Sequence, residues 1–100
     1  MPRAGCVPFR KKNGTREFLK VKGLNRGWVF PAGRVKTGET KRQAAKREAF
    51  EEAGVRGKIV GEVKTKKGNR YFLLEIKKRR RSPEKREIRW VCRREFAELC

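Results

Sequence analysis

The pattern of apolar and polar residues at the start of the chain predicts two antiparallel strands. Residues 4–9 and 17–21 are short apolar stretches, and the polar segment KKNGT separates them. The Asn13-Gly14 pair in that segment is typical of a two-residue β-hairpin turn, because both residues adopt positive φ at little cost. Pro8 has no backbone N–H, and it therefore predicts an edge position or a bulge for the first strand.

Further along, the apolar period changes and predicts a helix over residues 41–53. Thr40, followed three residues later by Gln43, forms the pattern of a capping box at the helix start. Gly54 stands where a left-handed residue ends many helices. The residues between these signals are mostly good helix formers, so a helix of about three and a half turns is expected.

Four other apolar stretches predict strands: residues 28–30, 55–63, 71–76 and 88–91. Residues 31–33 are expected to close the first of these strands, and a basic turn around residues 68–69 joins the second to the third. The basic run at residues 77–86 is predicted to be a solvated loop, and a short helix is predicted over residues 94–99. Strands with helices packed on them make one α+β domain over residues 1–100.

The central helix gathers negative charge on one side. At 3.6 residues per turn, Glu48, Glu51 and Glu52 share one arc of its surface, and Arg47 and Phe50 are expected to point elsewhere. Three alanines form the adjoining arc: Ala45, Ala49 and Ala53. Small residues let a helix approach a sheet closely, so the acids would border the buried face. An ordinary solvated amphipathic helix would show the same arrangement.

The composition limits what chemistry this domain can perform. The chain has 30 Lys and Arg against 11 acidic residues, a formal net charge of +19, and no histidine; every acid is a glutamate, and Ser82 is the only serine. A serine triad and a histidine-ligated zinc site are therefore excluded. Oxygen ligands from carboxylates and carbonyls select hard cations, Mg²⁺ or Mn²⁺, which typically act on phosphates.

The cysteines and the apolar runs indicate a cell compartment. Cys6, Cys92 and Cys100 are odd in number and lack a CxxC spacing, which favours free thiols in a reducing compartment. No apolar run reaches the roughly eighteen residues of a transmembrane helix, and the N-terminal residues lack a secretory signal pattern. A cytoplasmic protein is expected.

The glutamates belong to a longer pattern that begins at Gly33. Five residues separate Gly33 from Glu39, and seven more precede the segment REAFEEAGV, which runs from Arg47 to Val55. This order resembles the Nudix box at all seven of its fixed positions. The resemblance implies a mixed sheet between helices, an α/β/α sandwich, with the box as a loop, helix and loop packed on the sheet. It also implies a hydrolase that cleaves nucleoside diphosphates linked to another moiety, or related pyrophosphates, with divalent cations.

The resemblance also assigns roles to individual residues. The implied metal ligands are Gly33 or Ala32 through a backbone carbonyl, and Glu48, Glu51 and Glu52. Arg47 and Glu39 are implied to form an ion pair that holds the loop to the helix. We therefore count Arg47 among the catalytic residues, although its implied role is to keep the shape of the site. Glu51 is our choice for the general base, and Glu84 and Glu87 are candidates from outside the box. The implied cofactor is Mg²⁺, with Mn²⁺ possible.

The segments WVFPAGRVKTGE and KREIRWV more loosely resemble the diphosphoinositol polyphosphate phosphohydrolases. That resemblance implies hydrolysis of diphosphoinositol polyphosphates, dinucleoside polyphosphates or related compounds. Basic residues in predicted loops and strand ends would focus polyanions, and four are our predicted substrate-binding residues: Arg3, Arg10, Arg34 and Arg70. Two alternatives are an RNA 5′-end or cap pyrophosphohydrolase and a basic RNA-binding module that retains the fold. Nucleic acid is a further partner that the positive charge would attract, although a compositional bias would give the same surface.

Overall fold

The computed structural model of the protein describes residues 2–64 and 70–94. Within these residues, seven strands and one helix follow in this order: β1 (Arg3–Lys12), β2 (Thr15–Lys22), β3 (Trp28–Val29), β4 (Ala32–Arg34), α1 (Lys41–Ala53), β5 (Val55–Lys64), β6 (Arg70–Arg79) and β7 (Ile88–Val91). The predicted turn at residues 68–69 and residues 95–99 of the predicted last helix lie outside the described residues.

The strands form one mixed sheet. Its main path runs β3-β2-β1-β6-β5, with β4 paired to β1 and β7 paired to β2. The β1–β6 pair is parallel, and the other pairs are antiparallel. The predicted hairpin is confirmed, because Lys12 pairs with Thr15 and the two turn residues, Asn13 and Gly14, have φ of 52° and 78°. The predicted class, a mixed sheet with a helix packed on it, is also confirmed.

The expectation that Pro8 places β1 at an edge or a bulge is wrong, because β1 lies in the middle of the sheet. On one side, β1 pairs with β4 through Arg3–Gly5 and then with β2 from Phe9 onward. Pro8 falls in the gap between these two partners, where no strand requires its missing N–H. On the other side it lies opposite Leu74 of β6 in the parallel pair.

Two boundaries also differ from the sequence prediction. Residues 32–34 form the short strand β4 instead of a closing turn, since they pair with the start of β1. Strand β6 continues to Arg79, three residues into the predicted loop, because β5 supplies partners as far as Val55 opposite Arg79. The β4 pairing has no local signal, because it depends on a strand that is distant in sequence, and the end of β6 is set by the length of its partner strand β5.

Apolar side chains cover both faces of the sheet. Helix α1 closes one face through a cluster that includes Cys6, Leu19 and Phe72. A second cluster, which includes Val7, Phe9 and three other residues, lies on the opposite face, as expected when neighbouring residues of β1 alternate. Cys6 is a buried free thiol, and Cys92 is an exposed one. No helix in the described part of the chain is long and apolar enough to cross a membrane.

Candidate active site

Both ends of helix α1 are fixed by the residues that predicted them. The Thr40 hydroxyl accepts the Gln43 N–H at 3.1 Å, and the Gln43 side chain accepts the Thr40 N–H at 2.8 Å, which completes the capping box. Gly54 ends the helix with φ of 71° and donates its N–H to the Phe50 carbonyl at 2.9 Å. A Cβ at Gly54 would overlap the Arg80 carbonyl, so glycine is required there for space and for conformation.

The alanine face of the helix sets the depth of the glutamates. Its buried alanines are Ala44, Ala45, Ala49 and Ala53. Because these side chains are small, the helix lies close to the sheet and the acids at the border are drawn into the seam. The side chains of Glu52, Glu48 and Glu51 are 5%, 12% and 36% exposed, so the predicted arc of carboxylates is graded from buried to half-exposed.

Arg47 lies among these carboxylates, and the expectation that it points elsewhere is wrong. Its Nε and Nη2 donate to the two oxygens of Glu39 at 2.7 and 3.1 Å. Nη1 donates to Glu48 at 2.6 Å and to Glu51 at 3.0 Å, and Nη2 also donates to the Arg34 carbonyl at 2.9 Å. All five N–H groups of the guanidinium are therefore used.

The ion pair between Arg47 and Glu39 that the resemblance implies is present. The Arg47 guanidinium and the Lys36 N–H together hold the pKa of Glu39 at about 2. Since Arg34 ends β4 and Glu39 belongs to the loop that follows, Arg47 ties both the strand end and the loop to the helix.

Gly33 of β4 provides the space for Glu48. A Cβ at Gly33 would overlap the Glu48 carboxylate, which lies directly against the glycine backbone. Gly33 pairs with Ala4 of β1, so the sheet fixes its position. The resemblance implied a ligating carbonyl from Gly33 or Ala32, and the structure places this strand and the Glu48 carboxylate side by side.

Glu48 and Glu52 form a carboxylate pair at the buried edge of the helix. Burial raises the pKa of Glu52 from its ordinary value of 4.5 to about 8, and its hydrogen bond with Glu48 adds to this rise. Arg86 opposes the rise with a positive charge, and its Nη1 lies 3.5 Å from Glu52 Oε1. Two adjacent carboxylates in a buried position repel each other unless a proton or a cation lies between them.

The segment after β6 packs against the end of the helix and reaches the same edge. The Ser82 hydroxyl and the Glu84 N–H both donate to the Glu51 carbonyl, at 2.9 and 3.2 Å. Arg86 bridges from Glu52 to Glu84, which accepts its Nε at 2.7 Å. Of the two candidates outside the box, Glu84 therefore lies beside the site.

Glu87, the other candidate outside the box, joins the fold through its backbone, since its carbonyl accepts the Lys22 N–H at 3.0 Å.

Sequence reasoning missed two residues that contact the site, Ser82 and Arg86. The Ser82-Pro83 pair inside a basic run indicates a turn, but nothing local shows that this turn packs on the helix.

The predicted substrate-binding arginines do not all lie together. Arg3 and Arg34 are opposite each other in the β1–β4 pair, and Arg3 and Arg70 line one small pocket. Arg34 also lines a larger pocket of about 460 Å³ that reaches Glu48. Arg10 lies seven residues along β1 from Arg3, a distance of about 23 Å, where it pairs with Glu17 and stacks 3.5 Å from the centre of the Trp90 ring.

The donor chemistry of this edge fits a hard divalent cation. Its side-chain ligands would be carboxylate oxygens, and β4 brings backbone carbonyls next to Glu48. Within the described residues, no three acidic, histidine or cysteine side chains already converge on one point that would hold a metal ion. Glu51 is turned toward Arg47, and Arg86 lies beside Glu52, so two arginines bring positive charge to this edge.

Comparison with known proteins agrees with this geometry. The chain matches the family model of the NUDIX domain over residues 1–99. Nudix hydrolase 4 of Arabidopsis thaliana is 35% identical over an alignment of length 118, which covers 96% of this chain and 57% of that protein. The same plant's "Nudix hydrolase 16, mitochondrial" is 46% identical over 65 residues, which cover 54% of this chain and 36% of that protein.

A solved structure shows the same architecture. The crystal structure of a C. elegans Ap4A hydrolase matches with a TM-score of 0.73 and 25% identity, covering 98% of this chain and 84% of that chain. The present chain spans 36% and 57% of the two Arabidopsis proteins, so it corresponds to part of their length. A family match over nearly all residues, together with a shared fold and an intact box, shows that the chain belongs to the Nudix family.

Proposed function

We propose that this domain is a pyrophosphohydrolase that uses Mg²⁺ or Mn²⁺ to cleave a phosphoanhydride bond in small polyphosphorylated compounds. The observation that carries the proposal is the pair of Glu48 and Glu52, two adjacent carboxylates drawn into the seam between the helix and the sheet. A cation that binds both carboxylates relieves their repulsion. The family membership supports the same reaction class.

Three glutamates and one carbonyl would hold the metal ion. Glu48 and Glu52 are the principal ligands in this proposal, with Glu51 and a backbone carbonyl of Ala32 or Gly33 completing the set. A bound divalent ion would neutralise phosphate charge and lower the pKa of an attacking water. The chain's own contribution is to hold these oxygens on a rigid helix edge against β4.

Proton transfer is assigned to Glu51, the most exposed of the three helix glutamates. Arg47 contacts one of its oxygens and orients the side chain without enclosing it. Glu84 is the second candidate, since Arg86 holds it beside Glu52. Variants Glu51→Gln and Glu84→Gln would separate the two, because loss of the base removes the corresponding limb from the pH dependence of kcat/KM.

The substrate is proposed to enter beside Glu48. Arg34 and Lys36 line the pocket of about 460 Å³ that also contains Glu48, so positive charge lies next to the proposed metal ligands. Arg3 and Arg70 extend this charge along the sheet. Phosphate chains longer than a diphosphate would reach these additional cations, which favours dinucleoside polyphosphates and diphosphoinositol polyphosphates as substrates. The Ap4A hydrolase structure supports the former.

The experiment is a substrate panel with and without metal. Diadenosine tetraphosphate, a diphosphoinositol polyphosphate, ADP-ribose and a capped RNA are incubated with Mg²⁺, with Mn²⁺ and with EDTA, and the products are separated by ion exchange. Reaction in ¹⁸O-labelled water identifies the phosphorus that water attacks. We expect metal-dependent turnover with the highest kcat/KM for the polyphosphates. Equal turnover in EDTA, or no turnover of any compound, would contradict the proposal. The cytoplasmic location stays a prediction.

A further inference from the structure

A basic groove lies on the side of helix α1 away from the carboxylate pair. Two pockets of about 470 Å³ each share Phe50 and Arg56 and together form this groove. Its exposed cations come from α1, β5, β6 and the residue that follows β6: Lys46, Arg56, Lys78, Arg79 and Arg80. No acidic residue is among the described residues that line either pocket.

The groove is separate from the proposed catalytic edge. On a helix, Phe50 lies about 100° from Glu51 and about 200° from Glu52, so it faces away from the buried carboxylate. Arg47 also lines the groove, while its guanidinium is turned to Glu39, Glu48 and Glu51. The side chains of the five exposed groove cations form none of the contacts described at the site.

The strand pairing places like charges against each other in the groove. Arg56 of β5 lies directly opposite Lys78 of β6, and Arg79 follows on the same strand. Like charges in directly opposed cross-strand positions destabilise a sheet. In the described parts of the chain, no carboxylate lies within ion-pair distance of Arg56, Lys78 or Arg80. A bound polyanion would remove this repulsion.

The groove also offers planar groups for stacking. The Arg56 guanidinium lies 4.1 Å from the centre of the Phe50 ring, and Arg56 is exposed to solvent. Nucleic-acid bases stack on arginine planes and on aromatic rings, while backbone phosphates bind lysine and arginine. A membrane surface fits less well, because the exposed large apolar residues, Leu24, Val60 and Ile88, do not line the groove.

We propose that the basic groove binds single-stranded nucleic acid. The backbone phosphates contact Lys78, Arg80 and Lys46, and a base stacks on the Arg56 guanidinium. This binding is independent of the proposed hydrolysis, because none of these residues contacts the carboxylate edge. It would bring an RNA strand to the protein without placing that strand in the hydrolytic site.

The test compares two variants that lose the same charge. Lys78→Gln/Arg80→Gln removes two groove cations, and Lys22→Gln/Arg89→Gln removes two exposed cations of β2 and β7, which lie on the side of β1 away from β6. Fluorescence anisotropy with a labelled oligouridylate of about 12 nucleotides, without a 5′ triphosphate, gives the affinity at several salt concentrations. The slope of log K against log salt is about −0.7 for each phosphate contact in single strands.

We expect the groove variant to lose about 1.4 from the magnitude of that slope, and the control variant to keep the slope of the wild type. Arg56→Lys keeps the charge, so it should keep the slope and lose affinity several-fold for oligoadenylate, whose bases stack strongly. Turnover of a small substrate should be unchanged in all three variants.

Several results would overturn the proposal. Equal losses in the two double variants would show diffuse attraction by the whole surface. A groove variant that binds the oligonucleotide like the wild type would show that the groove is not the site. A third result would assign the groove to a membrane instead. In that case Lys78→Gln/Arg80→Gln would reduce sedimentation of the protein with phosphatidylserine vesicles and leave its oligonucleotide binding unchanged.

Discussion

Replacing Arg47 with lysine should destabilise the domain although the charge is kept. The guanidinium donates five hydrogen bonds, to Glu39, Glu48, Glu51 and the Arg34 carbonyl. A lysine ammonium has three N–H groups on a single nitrogen, so it cannot reproduce the planar fork. At least two of the five hydrogen bonds must therefore be lost in Arg47→Lys.

The expected size follows from the exposure of these contacts. A hydrogen bond to a charged group contributes about 1.5–3 kcal/mol when it is well shielded. The Arg47 side chain is 20% exposed and that of Glu51 is 36% exposed, so solvent screening reduces this to about 1 kcal/mol for each lost bond. Arg47→Lys should then lose about 2 kcal/mol of unfolding free energy, and roughly 10 °C of Tm in a domain of this size.

The assay is urea unfolding in EDTA, followed by tryptophan fluorescence from Trp28 and Trp90 and by circular dichroism. Arg42→Lys is the matched control in the same helix. Its nearest carboxylate, on Glu62, is 3.9 Å away, and the two side chains are 59% and 44% exposed, so the loss should stay below about 0.5 kcal/mol. If Arg47→Lys unfolded at the same urea concentration as Arg42→Lys, the five-bond clamp would not stabilise the loop as described.

Three other substitutions test separate parts of the site. Gly33→Ala places a methyl group where the Glu48 carboxylate lies, so Mn²⁺ affinity measured by calorimetry should fall at least about tenfold. Gly27→Ala is the control, because nothing lies within 4 Å of a Cβ at that position. Equal Mn²⁺ affinities in the two variants would refute the contact between Gly33 and Glu48. In the metal-free protein the native state binds more protons than the unfolded chain between pH 4.5 and about 8, because the pKa of Glu52 is raised. Stability should therefore fall as pH rises through that window, and urea titrations of Glu52→Gln should lack this fall; an identical slope in wild type and variant would contradict the assignment. Arg86→Gln removes the cation beside Glu52, so the metal-free Tm should drop while Mn²⁺ binds more tightly, and weaker Mn²⁺ binding would show that Arg86 does not compete with the metal.

The local parts of the fold were predictable because their signals lie within a few residues. The hairpin at Asn13-Gly14 and the helix between Thr40 and Gly54 follow from turn chemistry and capping, and the structure confirms all of them. The arc of three glutamates follows from helical geometry alone. These features need no knowledge of distant contacts.

The remaining features depend on contacts between segments that are distant in sequence. Pro8 suits the middle of the sheet only because β1 changes partner at that point, which the sequence of β1 does not show. Arg86 reaches Glu52 because the segment after β6 packs on the end of the helix. The direction of the Arg47 side chain depends on where the loop carrying Glu39 returns. Local periodicity contains no information about any of these.

The measurement that tests the central claim most directly is the kcat of Glu52→Gln with diadenosine tetraphosphate at saturating Mg²⁺. Glutamine keeps the shape of the buried side chain and removes the charge that a metal ion requires. The control is Glu62→Gln, which alters an exposed glutamate of β5. We predict a loss of at least about a thousandfold for Glu52→Gln with the fold intact by circular dichroism, and no loss for Glu62→Gln. If Glu52→Gln kept more than about a tenth of wild-type turnover, the carboxylate pair would not be the metal site and the account would be wrong.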